Sequence, residues 1–273
     1  MITGLAKSKE AAPPTRIAFS VPPALWRGAT AFLLAAVVWE VVARYVIGNP
    51  LFLSPLSSVA VRTVELWHEG ELQNHIWVSF VEFFWGFTLA SVVGILIGIV
   101  LAEWRTLRQF CDPLLSMMYA TPIIALGPLF ILWLGIGVIS KIAIIFLTAV
   151  FPIIINTIAG LTTTERTLID VARSLSATPI QIYTKVRLPA ALPFIIAGLR
   201  LSVARALVGV VVAELFGARA GLGFMIVNSA QSFDTAAVFV GVFILAVAGV
   251  VSVELLKFLE MKLAPWRFQS EDN

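Results

Sequence analysis

The side chains with chemical potential in this sequence are ionisable groups set inside long apolar runs. Glu40, Glu82, Arg200, Arg205, Glu214 and Glu254 each interrupt a stretch that is otherwise hydrophobic. A charge in such a setting is costly. It is kept for pairing, for contact with an ion or solute, or at a depth from which it reaches water. The usual catalytic sets are missing. His68 and His75 have no neighbouring cysteine, no H-E-x-x-H run occurs, and the single cysteine, Cys111, has no second thiol or base beside it. No G-x-x-x-x-G-K-[ST] run occurs either, so the chain lacks a P-loop to cradle phosphates. The pattern predicts no catalytic residue and no metal site.

The elements that carry these groups follow from composition. Of 273 residues, 59% are hydrophobic and only 13% charged, and the mean hydropathy is +0.96. Soluble domains are about 45–50% apolar and about 25% charged. Both a water-soluble enzyme and a disordered chain are therefore excluded. The expected fold class is all-α: a polytopic membrane protein with six transmembrane helices. Runs long enough to cross a bilayer span Gly28–Ile47, Ile76–Ala102, Pro113–Leu134, Ile142–Leu161, Pro193–Phe216 and Thr235–Leu259. Pro122 and Pro128 should kink the third. The first run is longer than a signal-peptide core, so it is read as a retained span. The net charge of +3 reflects basic cytoplasmic loops rather than nucleic-acid binding. Lys7, Lys9, Arg16, Arg27, Arg105, Arg108, Arg166, Arg173, Lys185, Arg187, Lys257, Lys262 and Arg267 fall on one side, and Arg62, Lys141 and Arg219 on the other. Both termini are then cytoplasmic. The chain divides into a tail at 1–27, a membrane domain at 28–260 and a tail at 261–273. The outer segment Leu51–His75 includes a short surface helix over Pro55–Trp67.

The cytoplasmic loop 162–192 is long for a helical bundle and carries its own pattern. Leu168, Val171, Ala172 and Leu175 fall at i, i+3, i+4 and i+7, one face of a helix, while Arg166, Asp170 and Arg173 lie elsewhere on it. Ser176–Thr178 interrupts the pattern. Thr178, Pro179 and Gln181 then form a helix start, with an N-cap, proline in first position and glutamine in third. This second helix is expected to reach about Arg187 and stop before Pro189. A short amphipathic helix here can lie in the interface, pack on its own bundle, or enter the groove of a soluble partner. Helices that lie in the interface usually favour lysine, arginine and tryptophan, and this one has few of them.

The same stretch resembles the E-A-A-x-x-x-G-x9-I-x-L-P signature of the membrane subunits of binding-protein-dependent ABC importers. Asp170, Val171 and Ala172 stand at the E-A-A positions, Ser176 at the glycine, Val186 at the isoleucine, and Leu188 and Pro189 match. If the turn needs a positive φ, Ser176 carries a steric cost that glycine would not. PIIALGPLFILWLGIG at 122–137, FPIIINTIAG at 151–160, LPAALPFIIAGLRLS at 188–202 and AELFGARAGLGFMI at 213–226 extend the likeness. The nearest group is the nitrate, sulfonate, taurine and bicarbonate permeases, which includes permeases for pyrimidine-type vitamin precursors.

The resemblance implies a type I importer permease. Two copies would pair around a translocation path. The helix at Glu165–Leu175 would dock in a cytoplasmic ATPase that binds ATP and Mg, and an extracytoplasmic solute-binding protein would deliver a small solute. ATPase coupling would then rest on Glu165, Leu168, Asp170, Val171, Ala172, Leu175, Ser176, Leu188 and Pro189. The residues expected along the path are Glu82, Asn156, Thr157, Arg205 and Glu214. Gly221, Leu222 and Gly223, in the glycine-rich outer loop, are expected at an outer gate. Structural roles stand beside these: Glu40 pairing with Arg44 at i+4, a helix–helix hydrogen bond for Asn156 or Thr157, and close packing at Gly94 and Gly98. A secondary transporter or channel using Glu82, Arg205 or Glu214 as a relay is the alternative, though no internal repeat supports it.

Overall fold

A computed structural model describes residues 23–265. It is all helical. In order these are α1 (Pro23–Val41, prolonged by a π-helical turn Val42–Ile47), α2 (Leu56–His68), α3 (Glu71–Glu103), α4 (Arg105–Ala120), α5 (Gly127–Leu134, entered through a 3₁₀ turn Ile123–Leu126) and α6 (Val138–Thr162). There follow α7 (Arg166–Ser174), α8 (Pro179–Ile182, with a π-helical turn Tyr183–Arg187), α9 (Leu188–Leu215), α10 (Leu222–Gln231) and α11 (Thr235–Leu263). Five stretches are long and apolar enough to cross a membrane, and α4 with the turn and α5 makes a sixth, bent by 81°. Five of the six expected spans are present as continuous helices, and the third is replaced by this bent pair. The N-terminal residues Lys7, Lys9 and Arg16, and Arg267 at the other end, lie outside the described residues.

Helix α6 is the centre of the bundle, and small residues let its neighbours approach. A Cβ added at Gly86, Gly94 or Gly98 of α3 would lie 2.6 Å from Ile145, 3.0 Å from Ile153 and 2.5 Å from Thr157 of α6. With Ala90, fully buried, these residues recur every fourth position and form one stripe on α3. The expected close contact at Gly94 and Gly98 is thus part of a longer seam. On the other flank, Gly198 and Gly209 of α9 meet Asn156 and Thr148 of α6, and Gly160 of α6 meets Phe194 and Ala191 of α9. Lipid is as apolar as a leucine side chain, so burial alone drives no helix pairing inside a bilayer; close packing and interhelical hydrogen bonds do. One such bond is present, from the buried Ser202 Oγ of α9 to the Ala149 carbonyl of α6 at 2.7 Å.

Where the elements differ from expectation, a local cause is visible. Helix α6 begins at Val138, four residues before the expected Ile142, and takes in Lys141. Lys141 is therefore a buried helical residue and not part of an outer loop. Pro189 does not end a helix. The segment Pro179–Leu215 runs through without a break, because the wider π-helical turn before it shifts the hydrogen-bond ladder where proline lacks its N–H. Helix α2 matches the expected surface helix, but one face is not solvated. Its Val59 and Leu66 are buried against Leu222, Met225 and Val240. Arg62 of α2 also reaches Glu65 at 3.0 Å and Asp234, the N-cap of α11, at 2.9 Å. Burial works against the Arg62 charge, but these carboxylates outweigh it and hold its pKa above the ordinary value. The third expected span is broken at Thr121–Pro122, where the helix stops and turns. Helix α11 runs on to Leu263, past the expected start of the C-terminal tail at 261.

Helix α1 sits at the edge, with most of its apolar side chains exposed. Glu40 pairs with Arg44 at 2.6 Å, as its i+4 spacing predicts, and also accepts from Ser57 Oγ at 2.8 Å. This ties α1 to α2. The α3–α6 seam yields a direct test. Gly98→Leu must push the two helices apart. It is expected to cost at least 1–3 kcal/mol, the usual range for overpacking, and to lower the thermal midpoint of the detergent-purified protein. The same change at the exposed Gly28, where no atom lies within 4 Å, should leave that midpoint unmoved.

Candidate functional site

Two of the ionisable residues expected along a path turn out to be internal ties. Glu82 is buried and accepts from Lys141 Nζ at 2.7 Å, joining α3 to α6. Removing water from both charges is expensive, and only a close partner makes the arrangement tolerable. Glu214, also buried, accepts from Ser79 Oγ at 2.5 Å, from the Gly223 N–H at 2.5 Å and from the Phe224 N–H at 3.3 Å. It therefore caps the N-terminus of α10, where free N–H groups favour a carboxylate. Both carboxylates face the protomer interior and not an open surface.

The glycine-rich segment expected at an outer gate is held by the same cluster. The Gly221 N–H donates to His75 Nδ1 at 3.0 Å and the Leu222 N–H to Ser79 Oγ at 2.7 Å. Every backbone donor from Gly221 to Phe224 is thus taken up by a side chain of α3 or α9. Gly221 has φ 126°, and a Cβ there would lie 2.3 Å from the Glu214 carboxyl carbon. Glycine is needed both for the backbone angle and for the space. Gly221, Leu222 and Gly223 are all buried. They form a fixed corner in this conformation. His75, Ser79 and Lys141 were not anticipated as site residues. The signal was present for two of them: His75, Ser79, Glu82 and Gly86 follow a 4-3-4 spacing, one polar-to-small face of α3.

Asn156 and Thr157 divide. Thr157 is fully buried against Gly98, and its hydroxyl has no partner. Asn156 is half-buried beside Gly198, and its Nδ2 donates to the Pro152 carbonyl one turn back at 2.8 Å. Arg205 is different again. It is exposed on α9, donates to the Tyr119 hydroxyl at 2.9 Å and lies 4.6 Å from that ring's centre. It borders a recess of about 420 Å³ between α4, the broken backbone at Thr121–Ile124, α6 and α9. Arg205 is the one charged residue among those lining it. Of the remaining charges, Arg200 pairs with the buried Glu260 of α11, and Glu254 is exposed, 3.8 Å from Lys257.

The loop 162–192 folds into the two expected helices, and the turn between them is capped on both sides. Helix α7 ends in a Schellman motif: the Ala177 N–H donates to the Ala172 carbonyl at 3.1 Å and the Ser176 N–H to the Arg173 carbonyl at 2.9 Å. Ser176 takes the left-handed position with φ 57°, the one that glycine fills most easily. The strain expected if φ were positive there is therefore present, about 1–2 kcal/mol for an L-residue. Thr178 and Gln181 form a reciprocal capping box at 3.3 and 2.8 Å. On α7 the apolar stripe is unpaired within the protomer. Leu168 is 49% exposed, Val171 55% and Leu175 79%. Glu165 is the N-cap of α7 without a side-chain bond, and Asp170 pairs with Arg173 at 3.4 Å. Leu188 and Pro189 are half-buried at the base of α9.

Five apolar spans with a sixth, bent one, a recess carrying one charge where that span breaks, and a capped loop presenting an exposed apolar stripe are the parts of a membrane transport subunit. Comparison with known proteins agrees. The chain belongs to the family of binding-protein-dependent transport system inner membrane components, whose pattern matches residues 94–265. It is 39% identical over 86% of both chains to the aliphatic sulfonates transport permease protein SsuC of Bacillus subtilis. It is 34% identical to the formylaminopyrimidine transport permease protein ThiX of Halalkalibacterium halodurans, over 86% of this chain and 94% of that one. To the taurine transport system permease protein TauC of Escherichia coli it is 32% identical over 88% of each. The fold matches the inward-facing MetNI methionine ABC transporter with a TM-score of 0.62 at 19% identity, covering 70% of this chain and 95% of that one. The protein is a multi-pass inner-membrane permease subunit of an ABC importer.

The buried ion pair yields a prediction with an internal control. Lys141→Met leaves the Glu82 charge buried and alone, which is expected to cost about 3–5 kcal/mol. Adding Glu82→Met removes the stranded charge and should recover most of that loss. Thermal unfolding of the three purified variants measures both steps.

Proposed function

We propose that this permease imports a small sulfonate-type anion, delivered by an extracytoplasmic binding protein, and couples that import to a partner ATPase through α7. The observation that carries the coupling is the exposed stripe Leu168, Val171 and Leu175 on a helix whose C-terminal turn is closed by a Schellman motif and followed at once by the capping box of α8. Three large apolar side chains in water are a standing cost unless a groove covers them, and an amphipathic helix in a groove is a recurring mode of recognition. The rigid turns suit a part that must transmit displacement. ATP and Mg belong to the partner, since this chain has no P-loop. Both termini and the loop lie on the cytoplasmic side, and a second copy of the chain completes the path.

The path runs beside the break at Thr121–Pro122. Irregular backbone at membrane depth is tolerated where it lines a cavity, and the recess of about 420 Å³ lies there. Arg205 supplies its one charge, which favours an anion over a neutral pyrimidine. Glu82 does not oppose this, because Lys141 neutralises it. The same pairing removes the relay that a secondary transporter would need: Glu82 and Glu214 are committed to Lys141 and to the start of α10.

Leu168→Asp with Leu175→Asp should abolish co-purification of the ATPase with a C-terminally tagged chain while leaving the thermal midpoint of the permease unchanged. Retained ATPase would refute the docking. In cells carrying the complete importer, Arg205→Gln should lower uptake of a labelled alkanesulfonate about tenfold or more, the loss of one charge-assisted contact. ATPase co-purification should not change. Unaltered sulfonate uptake would remove Arg205 from the path.

A further inference from the structure

A recess of about 890 Å³ lies on the loop side of the bundle, between the end of α3, the first turn of α4, the end of α6, and α7 with α8. Its charge is one-sided. Arg105, Arg108, Arg166, Arg173 and Arg187 line it against a single carboxylate, Glu103. Glu103 is already committed to Arg187 at 2.7 Å. Arg173 has only the loose, exposed contact with Asp170, the kind that contributes little. The side chains of Arg105, Arg108 and Arg166 make no hydrogen bond or ion pair among the described residues. Spacing brings them together. Arg105 and Arg108 are i and i+3 at the start of α4, and Arg166 and Arg173 are i and i+7 on α7, so each pair shares a face. On α7 that face is opposite the stripe of Leu168, Val171 and Leu175. The Thr164 and Tyr183 hydroxyls also line the recess, both shielded from water and both without a partner. Buried hydroxyls normally find one.

The mouth of this recess is apolar. Arg105 is shared with a shallow groove formed by Trp104, Thr106, Leu107 and Phe110. Trp104 is 65% exposed and Phe110 76%. An exposed tryptophan beside arginines at the end of a membrane span marks the level of the lipid headgroups. A basic, hydroxyl-bearing recess opening onto an apolar groove through one shared arginine is complementary to a molecule with an anionic phosphate head and a hydrocarbon tail.

We infer that this recess binds the phosphate headgroup of an anionic phospholipid from the adjoining leaflet, with its acyl chains along Leu107 and Phe110. Arg105, Arg108 and Arg166 meet the phosphate oxygens, which also accept from the Thr164 and Tyr183 hydroxyls. The lipid then wedges between α4 and the inner face of α7, leaving the apolar stripe free for the ATPase. The inference rests on the membrane spans and not on the ATPase docking.

The test is native mass spectrometry of the full-length chain, delipidated in detergent and titrated with dioleoylphosphatidylglycerol or dioleoylphosphatidylcholine. The expected result is one phosphatidylglycerol retained per chain in preference to phosphatidylcholine. Arg105→Gln with Arg108→Gln should reduce that preference about thirtyfold, on the basis of the usual contribution of each basic residue near anionic lipid. Arg105→Lys with Arg108→Lys keeps the charge and should retain most of it. Equal binding of the two lipids, or a preference that survives the glutamine pair, overturns the proposal. So does displacement of phosphatidylglycerol by an equal concentration of inorganic phosphate, which would make the recess a site for a soluble anion. If the preference survives the glutamine pair and ATPase co-purification is lost instead, the arginines belong to the protein interface. Failure of the α7 docking reading alone would leave the lipid titration unchanged.

Discussion

Everything in this bundle depends on how closely α3 and α9 can approach α6. In a bilayer, apolar surface has no preference for protein over lipid, so helices must be held by contact and by polar ties. The glycines facing Ile145, Ile153 and Thr157 bring α3 to α6 almost backbone to backbone, and those facing Asn156 and Thr148 do the same for α9. Three polar ties act on the same scaffold: Glu82 to Lys141, Ser202 to the Ala149 carbonyl, and Glu214 to Ser79 and α10. At close approach each of these bonds can form at good length. At greater separation each would become an unpaired polar group in hydrocarbon, where the cost is high.

This changes how the intramembrane charges are understood. A carboxylate inside a span is a functional lead by default, yet the buried Glu82 and Glu214 spend their charge within the protomer. Glu82 ties α3 to α6 through Lys141, and Glu214 helps to fix the corner Gly221–Gly223. Of the five residues expected along the path, Arg205 is the one that combines exposure with a charge at a recess. The difference lies in the neighbours. Glu82 faces a lysine on the next packed helix, whereas Arg205 faces a tyrosine and a broken backbone. The buried side of the bundle is therefore a rigid frame, and polarity open to a solute is confined to the flank where α4 stops.

Much of the fold was legible in the sequence because hydropathy and spacing report burial directly. The apolar spans, the surface helix and the capping box at Thr178 all rest on local chemistry, whereas the geometry of the turn at Ser176 was open until its φ of 57° was seen. Lys141 was misplaced because a lysine before an apolar run reads as a loop residue; its partner Glu82 lies 59 positions away, and no local pattern reveals the pair. Pro189 was read as a stop because proline usually is one, and the π-helical turn that accommodates it has no sequence signature. The Glu214 cap needed tertiary contact between three elements. Arg205 and Glu214 are nine residues apart, about two and a half turns of helix, so they lie on different faces of α9, and their separate environments follow from that.

The loop 162–192 joins these two sides. Its α7 has an outer apolar face and an inner basic one, and the two have different uses. The outer face is cheap to expose only briefly, so it is suited to a permanent protein partner. The inner face holds guanidinium groups that water solvates well, so it costs little when empty and gains most from a concentrated anionic surface. Strain of about 1–2 kcal/mol at Ser176 is kept at the turn that sets the angle between α7 and α8. A glycine there would relieve it, but it would also widen the range of backbone angles open to that turn in the unfolded chain and in the folded loop. A helix that must move as one body with the base of α9 is better served by a strained, narrow turn than by a relaxed, permissive one. The Schellman bonds and the capping box on either side of Ser176 hold the turn in that single geometry.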